Sequence, residues 1–146
     1  MTSTAGDAAG QRTVADRLGI TAGMVVLEVG HDTDVDESLR SVVQERIGGD
    51  FTDDDSDDVV DAVLLWFREE DGDLVDVLMD ARTRLDAAGS IWVLTPKAGR
   101  DGHVEPSDII DAAPTAGLSQ TSTVPAGQDW TASRLVVPKG QRAARR

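Results

Sequence analysis

The chain alternates short apolar runs with segments in which apolar residues recur every three or four positions. Met24–Val29 is an apolar run closed by Gly30, Val59–Phe67 is almost continuously apolar, and Ile91–Leu94 is a third short run. Runs of this length predict strands that are buried on both faces. Pro96 follows the third run, and because proline lacks a backbone N–H, we expect that strand not to continue beyond it as a central strand.

The segments between these runs have helical spacing. Apolar residues form one stripe from Val35 to Ile47, and Gly48-Gly49 is typical of a helix end. Asp34, followed three residues later by Glu37, resembles a capping box at the start of this helix. The sequence therefore predicts an amphipathic helix between the first and second strands.

Two more helices are predicted further along the chain. Asp73 is placed to cap a second helix that ends near Gly89, with a stripe formed by Leu74, Val77, Leu78, Ala81 and Leu85. Pro106 suits the first turn of a third helix, which we expect to run to about Ala113, with Pro114 beyond it.

The last elements are two strands, Ser119–Pro125 and Trp130–Val137, on either side of Ala126-Gly127-Gln128-Asp129. This arrangement predicts an antiparallel hairpin. Helices that alternate with buried strands predict an α/β domain of three layers, with a mainly parallel sheet of about five strands that ends in the hairpin. We assign residues 11–138 to this domain and expect residues 1–10 and the basic tail 139–146 to be disordered.

The charge is strongly negative, −13 over 146 residues, and the stretch from Glu28 to Asp80 holds 19 acidic and 3 basic residues. Such a field repels phosphates, so we expect no direct nucleic-acid binding. The acidity could serve solubility, reflect an Asp-rich proteome, recruit a basic partner, or imitate nucleic acid. The chain has no cysteine, no apolar run near the length of a membrane span, and no signal-peptide pattern at its start, so we expect a cytoplasmic protein without membrane contact.

The order of elements and three motifs resemble a known fold. The motifs GMVVLEVG (Gly23–Gly30), DAVLLW (Asp61–Trp66) and GSIWVLTPK (Gly89–Lys97), with the closing hairpin, are similar to the Rossmann-like core of class I S-adenosylmethionine methyltransferases. Over residues 12–138 the chain also resembles an actinobacterial family of unknown function, through VDAVLLWFREEDGDLVDVL, IWVLTPKAGRDGHVEPSDI and PTAGLSQTSTVPAGQDWTASRLVVPK. The first resemblance implies a Rossmann-like fold and the second implies no activity.

The chain departs from the methyltransferase pattern where the cofactor would bind. The resemblance implies two or three glycines in the loop after the first strand, but here Gly30 is followed by His31-Asp32-Thr33-Asp34. Glu28 could match the acidic residue of that motif. The family's second strand, whose final acidic residue binds the ribose, is missing here with a further strand and their helices. We therefore expect no cofactor, with S-adenosylmethionine as the less favoured possibility.

These departures favour a non-catalytic, regulatory protein-interaction module on a degenerate methyltransferase-like scaffold. One alternative is a small-molecule-binding or methyltransferase-like enzyme with a reworked loop at Gly30–Asp34. Another is an acidic decoy of a nucleic-acid-binding protein. The sequence alone leaves these three open.

The missing strands also predict a partner. If the remaining strands keep the order of the family, the first strand lies at a sheet edge and all crossovers run in one direction, which places the helices on one face. Either a helix at Arg12–Leu18 or a second chain must then cover the other face, so a homodimer or another protein partner is expected. A strand order with its switch point between the first and second strands would remove this need.

Candidate binding residues lie just past the carboxyl ends of the strands, where open α/β sheets bind ligands. They are Gly30, His31, Asp32 and Asp34 after the first strand, Trp66 and Arg68 after the second, and Thr95, Lys97, Arg100, His103 and Glu105 after the third. The two histidines could join carboxylates at a divalent ion, but their spacing matches no known metal motif, so we expect no metal. Lys97 and Arg100, near a helix start, could bind an anion or only balance the acidic surface.

The Asp-rich run between Asp50 and Asp58 is similar to a calcium loop but lacks the central glycine and the final glutamate of an EF-hand. We expect a solvated loop there. The tryptophans Trp66, Trp92 and Trp130 are expected to pack in the core or on the sheet, because no basic groove lies beside them in the sequence. No nucleophile elbow and no phosphate-binding glycine loop is present.

Overall fold

A computed structural model describes residues 12–52, 59–127 and 129–138. The predicted disordered segments 1–10 and 139–146, and most of the Asp-rich run, lie outside the described residues. In the described part of the chain, no helix is both long enough and apolar enough to cross a bilayer.

The domain is a five-stranded sheet with helices on both faces. Its elements are α1 (residues 12–17), β1 (Val26–Val29), α2 (Glu37–Ile47), β2 (Val60–Trp66), a 3-10 turn (Glu69–Asp71), α3 (Leu74–Arg84), β3 (Leu85–Pro96), α4 (Pro106–Thr115), β4 (Ser119–Pro125) and β5 (Trp130–Val136). The strand order is β1-β2-β3-β5-β4. β1, β2 and β3 are parallel, whereas β5 is antiparallel to β3 and to β4. The predicted α/β architecture with a closing hairpin is confirmed.

Alternate residues of β2 supply the two halves of the core. Val63 and Leu65 belong to one apolar cluster with α3 and α4, and Leu64 belongs to a second cluster with α1 and α2 on the opposite face. All three side chains are at most 1 % exposed. This period of two is the pleat of a strand that is covered on both sides, which explains why the sequence of β2 is almost continuously apolar.

The position of α2 contradicts the expectation that all helices lie on one face. β1 is the outermost strand, as predicted from the order of the family, but residue Thr52 forms an isolated parallel bridge with Leu27 on the far side of β1. Its amide donates to the carbonyl of Val26 over 2.8 Å. The crossover through α2 therefore runs away from β2, and a right-handed connection in that direction places α2 on the opposite face from α3.

The segment at the start of the described chain completes the cover of that face. Val14 and Leu18 are buried in the α2-side cluster, and the indole Nε1 of Trp92 donates to the carbonyl of Leu18 over 3.0 Å. A helix at Arg12–Leu18 was one of the two expected covers, and residues 12–17 are helical. The sheet thus has both faces covered within one chain, and the switch point of the topology lies between β1 and β2.

Three local predictions are wrong in detail. The N-cap of α2 is Asp36, whose carboxylate accepts from the Leu39 amide over 3.0 Å, rather than Asp34. Leu85 was expected to be the last residue of the apolar stripe of α3, but it is the first residue of β3 and is paired with Val60. Pro114 lies inside α4 instead of beyond the helix, and because it has no N–H, the usual hydrogen bond to the carbonyl four residues earlier is missing there.

Candidate functional site

The switch point between β1 and β2 is where an open α/β sheet would hold a ligand. Here the chain continues from β1 toward one side of the sheet and from β2 toward the other. We call the space between the turn Gly30–Asp34, after β1, and the turn Phe67–Asp71, after β2, the crevice. Of the predicted candidates, Gly30, Asp34, Trp66 and Arg68 meet there.

The two turns touch at Gly30. Its φ is +83°, a left-handed conformation that favours glycine. A Cβ at this position would lie 2.3 Å from the carbonyl oxygen of Trp66, which is far inside van der Waals contact. The glycine at the end of the first motif is therefore required by the close approach of β2.

Arg68 fills the crevice. It is 6 % exposed, and its Nη1 donates to the carbonyls of Gly30 over 2.7 Å and Trp66 over 3.1 Å. Its Nε donates to Asp34 Oδ2 over 3.0 Å, while Nη2 is bonded to the other carboxylate oxygen of Asp34. Its Cζ also lies 5.4 Å from the ring centroid of Trp130. A planar guanidinium with five donors is suited to such a set of acceptors, and it links the ends of both strands.

A second, partly buried ion pair lies beside the crevice on the α2 side. Arg40 donates to both carboxylate oxygens of Glu28, over 2.5 and 2.9 Å, and the Trp66 indole Nε1 donates to Glu28 over 2.9 Å. The Glu28 side chain is only 8 % exposed. The Trp66 and Trp130 rings meet edge to face with centroids 4.9 Å apart. The acidic residue of the first motif is thus held by α2 and β2.

These contacts keep the groups charged. The hydrogen bond from Arg68, more than its charge, holds the pKa of Asp34 below its ordinary value, although burial acts in the opposite direction. The hydrogen bond with Asp34 in turn raises the pKa of Arg68. A hydrogen bond with Glu28 raises the pKa of Arg40. Charges that are fixed in pairs are poor proton shuttles near neutral pH, so the arrangement is suited to stability more than to acid–base chemistry.

His31 and Asp32 follow Gly30 but stay on the surface. His31 Nε2 lies 3.2 Å from Glu37 Oε2, and the Asp32 carboxylate accepts from the Thr33 amide over 2.7 Å. His103, the second histidine, lies against a different strand, where its Nδ1 is 2.8 Å from the carbonyl oxygen of Pro96. In the described ranges, no three histidine or acidic side chains come close enough together to hold a metal ion.

The candidates after β3 contact the hairpin turn instead of the crevice. Lys97 Nζ donates to the Gly127 carbonyl over 2.8 Å, and Arg100 Nη1 lies 3.1 Å from Asp129 Oδ1. Glu105 is the N-cap of α4 and makes no side-chain capping bond, and its carboxylate lies 3.6 Å from His103 Nε2. The two cations therefore hold the β4–β5 turn against the end of β3, a role that neither interpretation from sequence included.

Sequence reasoning missed Arg40, Asp71 and the role of Trp130 in this region. Asp71 accepts from the Arg68 amide over 2.9 Å, and its carboxylate also lies 3.3 Å from Arg68 Nη1. One signal was available for Arg40, since it is one of three basic residues in the acidic stretch. A cation on a helix that packs against a glutamate of a neighbouring strand is a candidate partner for it.

As folded, the crevice does not fit an adenosyl cofactor. The methyltransferase resemblance would need an open turn after β1, whereas here the turn rests on the Trp66 carbonyl and the remaining space holds the Arg68 guanidinium. The ribose-binding acidic residue would follow a second strand; among the described residues only the bridge at Thr52 lies in that position, and the aspartates that follow it in the sequence lie outside the described residues. The residues present bind one another.

Solved structures share the fold. A S-adenosylmethionine-dependent methyltransferase from Aquifex aeolicus aligns with a TM-score of 0.55 and 15% identity, over 88% of this chain and 89% of that one. The CcbJ methyltransferase from Streptomyces caelestis aligns with a TM-score of 0.58 and 12% identity, over 88% of this chain and 89% of that one. The glycopeptide N-methyltransferase MtfA in complex with sinefungin aligns with a TM-score of 0.59 and 14% identity, over 90% of this chain and 94% of that one. At such identities the likeness shows a Rossmann-like, methyltransferase-type fold alone, which confirms the predicted fold class.

Sequence relatives are closer. Uncharacterized proteins from Mycobacterium tuberculosis (strain H37Rv) and Mycobacterium bovis are 51% identical to this chain over 131 residues, which cover 90% of this chain and 82% of each relative. A family model described as a protein of unknown function, DUF3052, matches residues 15–139. The resemblance to an actinobacterial family of unknown function is thereby confirmed. The chain belongs to the DUF3052 family of proteins of unknown function.

Proposed function

We propose that this protein is a non-catalytic protein-interaction module, with a regulatory role, built on a methyltransferase-like scaffold. The observation that carries the proposal is the buried Arg68, which occupies the switch-point crevice and bonds to both flanking turns. An enzyme with this fold would need that space for its cofactor.

The energetics of the crevice support the same conclusion. A ligand that entered would have to displace the guanidinium from two backbone carbonyls and from Asp34. Buried polar groups that lose their partners are costly, so the ligand would have to replace every one of those hydrogen bonds. The glutamate of the first motif is likewise engaged by Arg40 and Trp66.

A methyltransferase-like enzyme is the second candidate, and one observation favours it. Gly30 keeps the left-handed conformation of a glycine turn at the end of β1, so the backbone geometry of a cofactor loop persists at that residue. In this alternative, Arg68 would leave the crevice when S-adenosylmethionine binds, and its charge would meet the carboxylate of the cofactor.

Isothermal titration calorimetry with S-adenosylmethionine and S-adenosylhomocysteine separates the two candidates. We expect no binding to the wild-type protein at millimolar ligand, with a methyltransferase known to bind both ligands as the positive control. Stoichiometric binding at micromolar concentration would refute the non-catalytic proposal. The interaction role is tested separately, through the self-association of the purified chain.

A further inference from the structure

The far edge of the sheet from the crevice is a strand without a partner on one side. Among the described residues, β4 pairs only with β5, and it is the last strand in the sheet order. It is seven residues long, with the sequence SQTSTVP, and its register with β5 shifts between Gln120 and Ser122. Such an edge presents unpaired amides and carbonyls that can pair with another strand.

The side chains of this edge strand carry no charge, and the cation next to them is Arg134 of β5, which is paired with Ser122 and donates from Nη1 to Thr121 Oγ1 over 3.2 Å. Between Asp111 and Asp129 lie 17 consecutive uncharged residues, the longest uncharged stretch in a chain of net charge −13. Natural edges are commonly protected by lysines or other charges, but the side chains of β4 are serine, threonine, glutamine, valine and proline. It is therefore a part of the molecule where two acidic copies can approach with little mutual repulsion.

A cavity and an unsatisfied polar atom lie beside the same strand. The cavity measures about 660 Å³ and is lined by Ser119–Ser122, Leu118, Pro138, and by Ile110 and Pro114 of α4. Ile110 is a large apolar side chain that is 54 % exposed. Gln120 donates from Nε2 to Thr123 Oγ1 over 2.8 Å, but its Oε1 is buried and accepts no hydrogen bond. A buried acceptor without a donor is unfavourable.

We propose that two copies of this chain associate through β4, strand against strand and antiparallel, across a two-fold axis near Ser122. This arrangement makes one continuous sheet of two domains and brings the exposed Ile110 and the cavity of each copy to the rim of the interface. This inference rests on the proposed protein-interaction role, and it identifies the partner as a second copy of the chain.

A second copy fits this edge better than a basic partner. A strand that pairs with itself across a two-fold axis is self-complementary in its backbone hydrogen bonds, and the surface offers no carboxylate to attract a cation. The acidic residues are concentrated between Glu28 and Asp80, away from this strand in the sequence.

Sedimentation equilibrium of the full chain, across low to high micromolar concentration, tests the proposal with charged variants at the axis. Ser122 is exposed, and near a two-fold axis it meets its own copy, so Ser122→Glu and Ser122→Lys should each weaken the dimer at least tenfold. An equimolar mixture of the two variants should restore association, because opposite charges then face each other. The matched controls, Ser41→Glu and Ser41→Lys on the exposed surface of α2, should leave the dimer unchanged.

The other outcomes overturn the inference. They are a wild-type chain that is monomeric throughout, or a dimer that tolerates both charges. A chain that dimerises only after deletion of residues 139–146 would show that its own tail occupies the edge. A monomer that also fails to bind S-adenosylmethionine refutes this inference and leaves the non-catalytic assignment intact. A dimer that binds S-adenosylmethionine refutes the non-catalytic assignment and leaves this inference intact.

Discussion

Replacing Arg68 by alanine removes the side chain that joins the ends of β1 and β2. The guanidinium donates to the carbonyls of Gly30 and Trp66 and to the carboxylate of Asp34. Removal of one partner from a fully buried ion pair costs about 3–5 kcal/mol. The Asp34 side chain is 45% exposed, so water can replace part of the lost interaction. We therefore expect Arg68→Ala to lower the free energy of unfolding by about 2–4 kcal/mol.

Two variants sharpen this expectation. Arg68→Lys keeps the charge but cannot bond to both turns at once, so it should fall between wild type and Arg68→Ala. Arg100→Ala is the matched control, because Arg100 makes an exposed ion pair with Asp129, and its side chain is 45% exposed. Exposed pairs contribute about 0–1 kcal/mol, so the control should lose little stability.

Urea unfolding followed by tryptophan fluorescence measures the effect, since Trp66 and Trp130 both lie next to Arg68. With a slope of about 2 kcal/mol per molar urea, the expected loss moves the midpoint of Arg68→Ala by roughly 1–2 M. If Arg68→Ala and Arg100→Ala shift the midpoint by the same small amount, the crevice is not held by the guanidinium, and the reasoning on which the proposed function depends is refuted.

Three more predictions concern the same region. Gly30→Ala should destabilise the protein by about 3 kcal/mol or more in urea unfolding, because the added Cβ would meet the Trp66 carbonyl. The control is Gly48→Ala, which has a similar φ of +85° but open space around it, and it should cost only about 1–2 kcal/mol. Trp66→Phe removes the indole hydrogen bond to Glu28 and should lower thermal stability by about 1–3 kcal/mol, and an unchanged melting temperature would contradict this. The lowered pKa of Asp34 stabilises the fold above the pKa of the unfolded state, and this contribution disappears as the pH falls below about 4. The stability difference between wild type and Asp34→Asn, measured in urea, should therefore be constant from pH 7 to about pH 5 and shrink below about pH 4.

The strands and helices could be predicted from the sequence because their patterns are local. The run at β2 is apolar at nearly every position, and the observed strand, Val60–Trp66, lies within the predicted one. Asp73 caps α3 as expected, by accepting from the Val75 amide over 2.9 Å. The error at Leu85 is a boundary error, since a leucine fits both the helical stripe of α3 and the first pairing position of β3.

The side of the sheet on which α2 lies could not be predicted, because it depends on one residue. Thr52 pairs with Leu27 as an isolated bridge, and a single residue has no alternation or run that a strand prediction could detect. The expectation that the helices share one face assumed that the chain passed straight from α2 to β2.

The position of the candidate site was predicted from the sequence, but the burial of Arg68 and its hydrogen bonds were not. Arg68 was identified because it follows β2, yet arginine is mostly exposed in proteins, so its burial could not be inferred from type. Its acceptors come from separate parts of the chain, namely Gly30, Asp34 and the Trp66 carbonyl. Side-chain interactions at such separations have no periodic signature, and only the folded arrangement brings them together.

The bridge at Thr52 shows how a layered protein can become shorter without exposing its interior. One backbone pairing outside β1 turns the chain around that edge, and the turn alone decides which side of the sheet receives the next helix. Whole strands and helices could thus be lost in the history of such a domain while both of its hydrophobic surfaces stayed shielded from water.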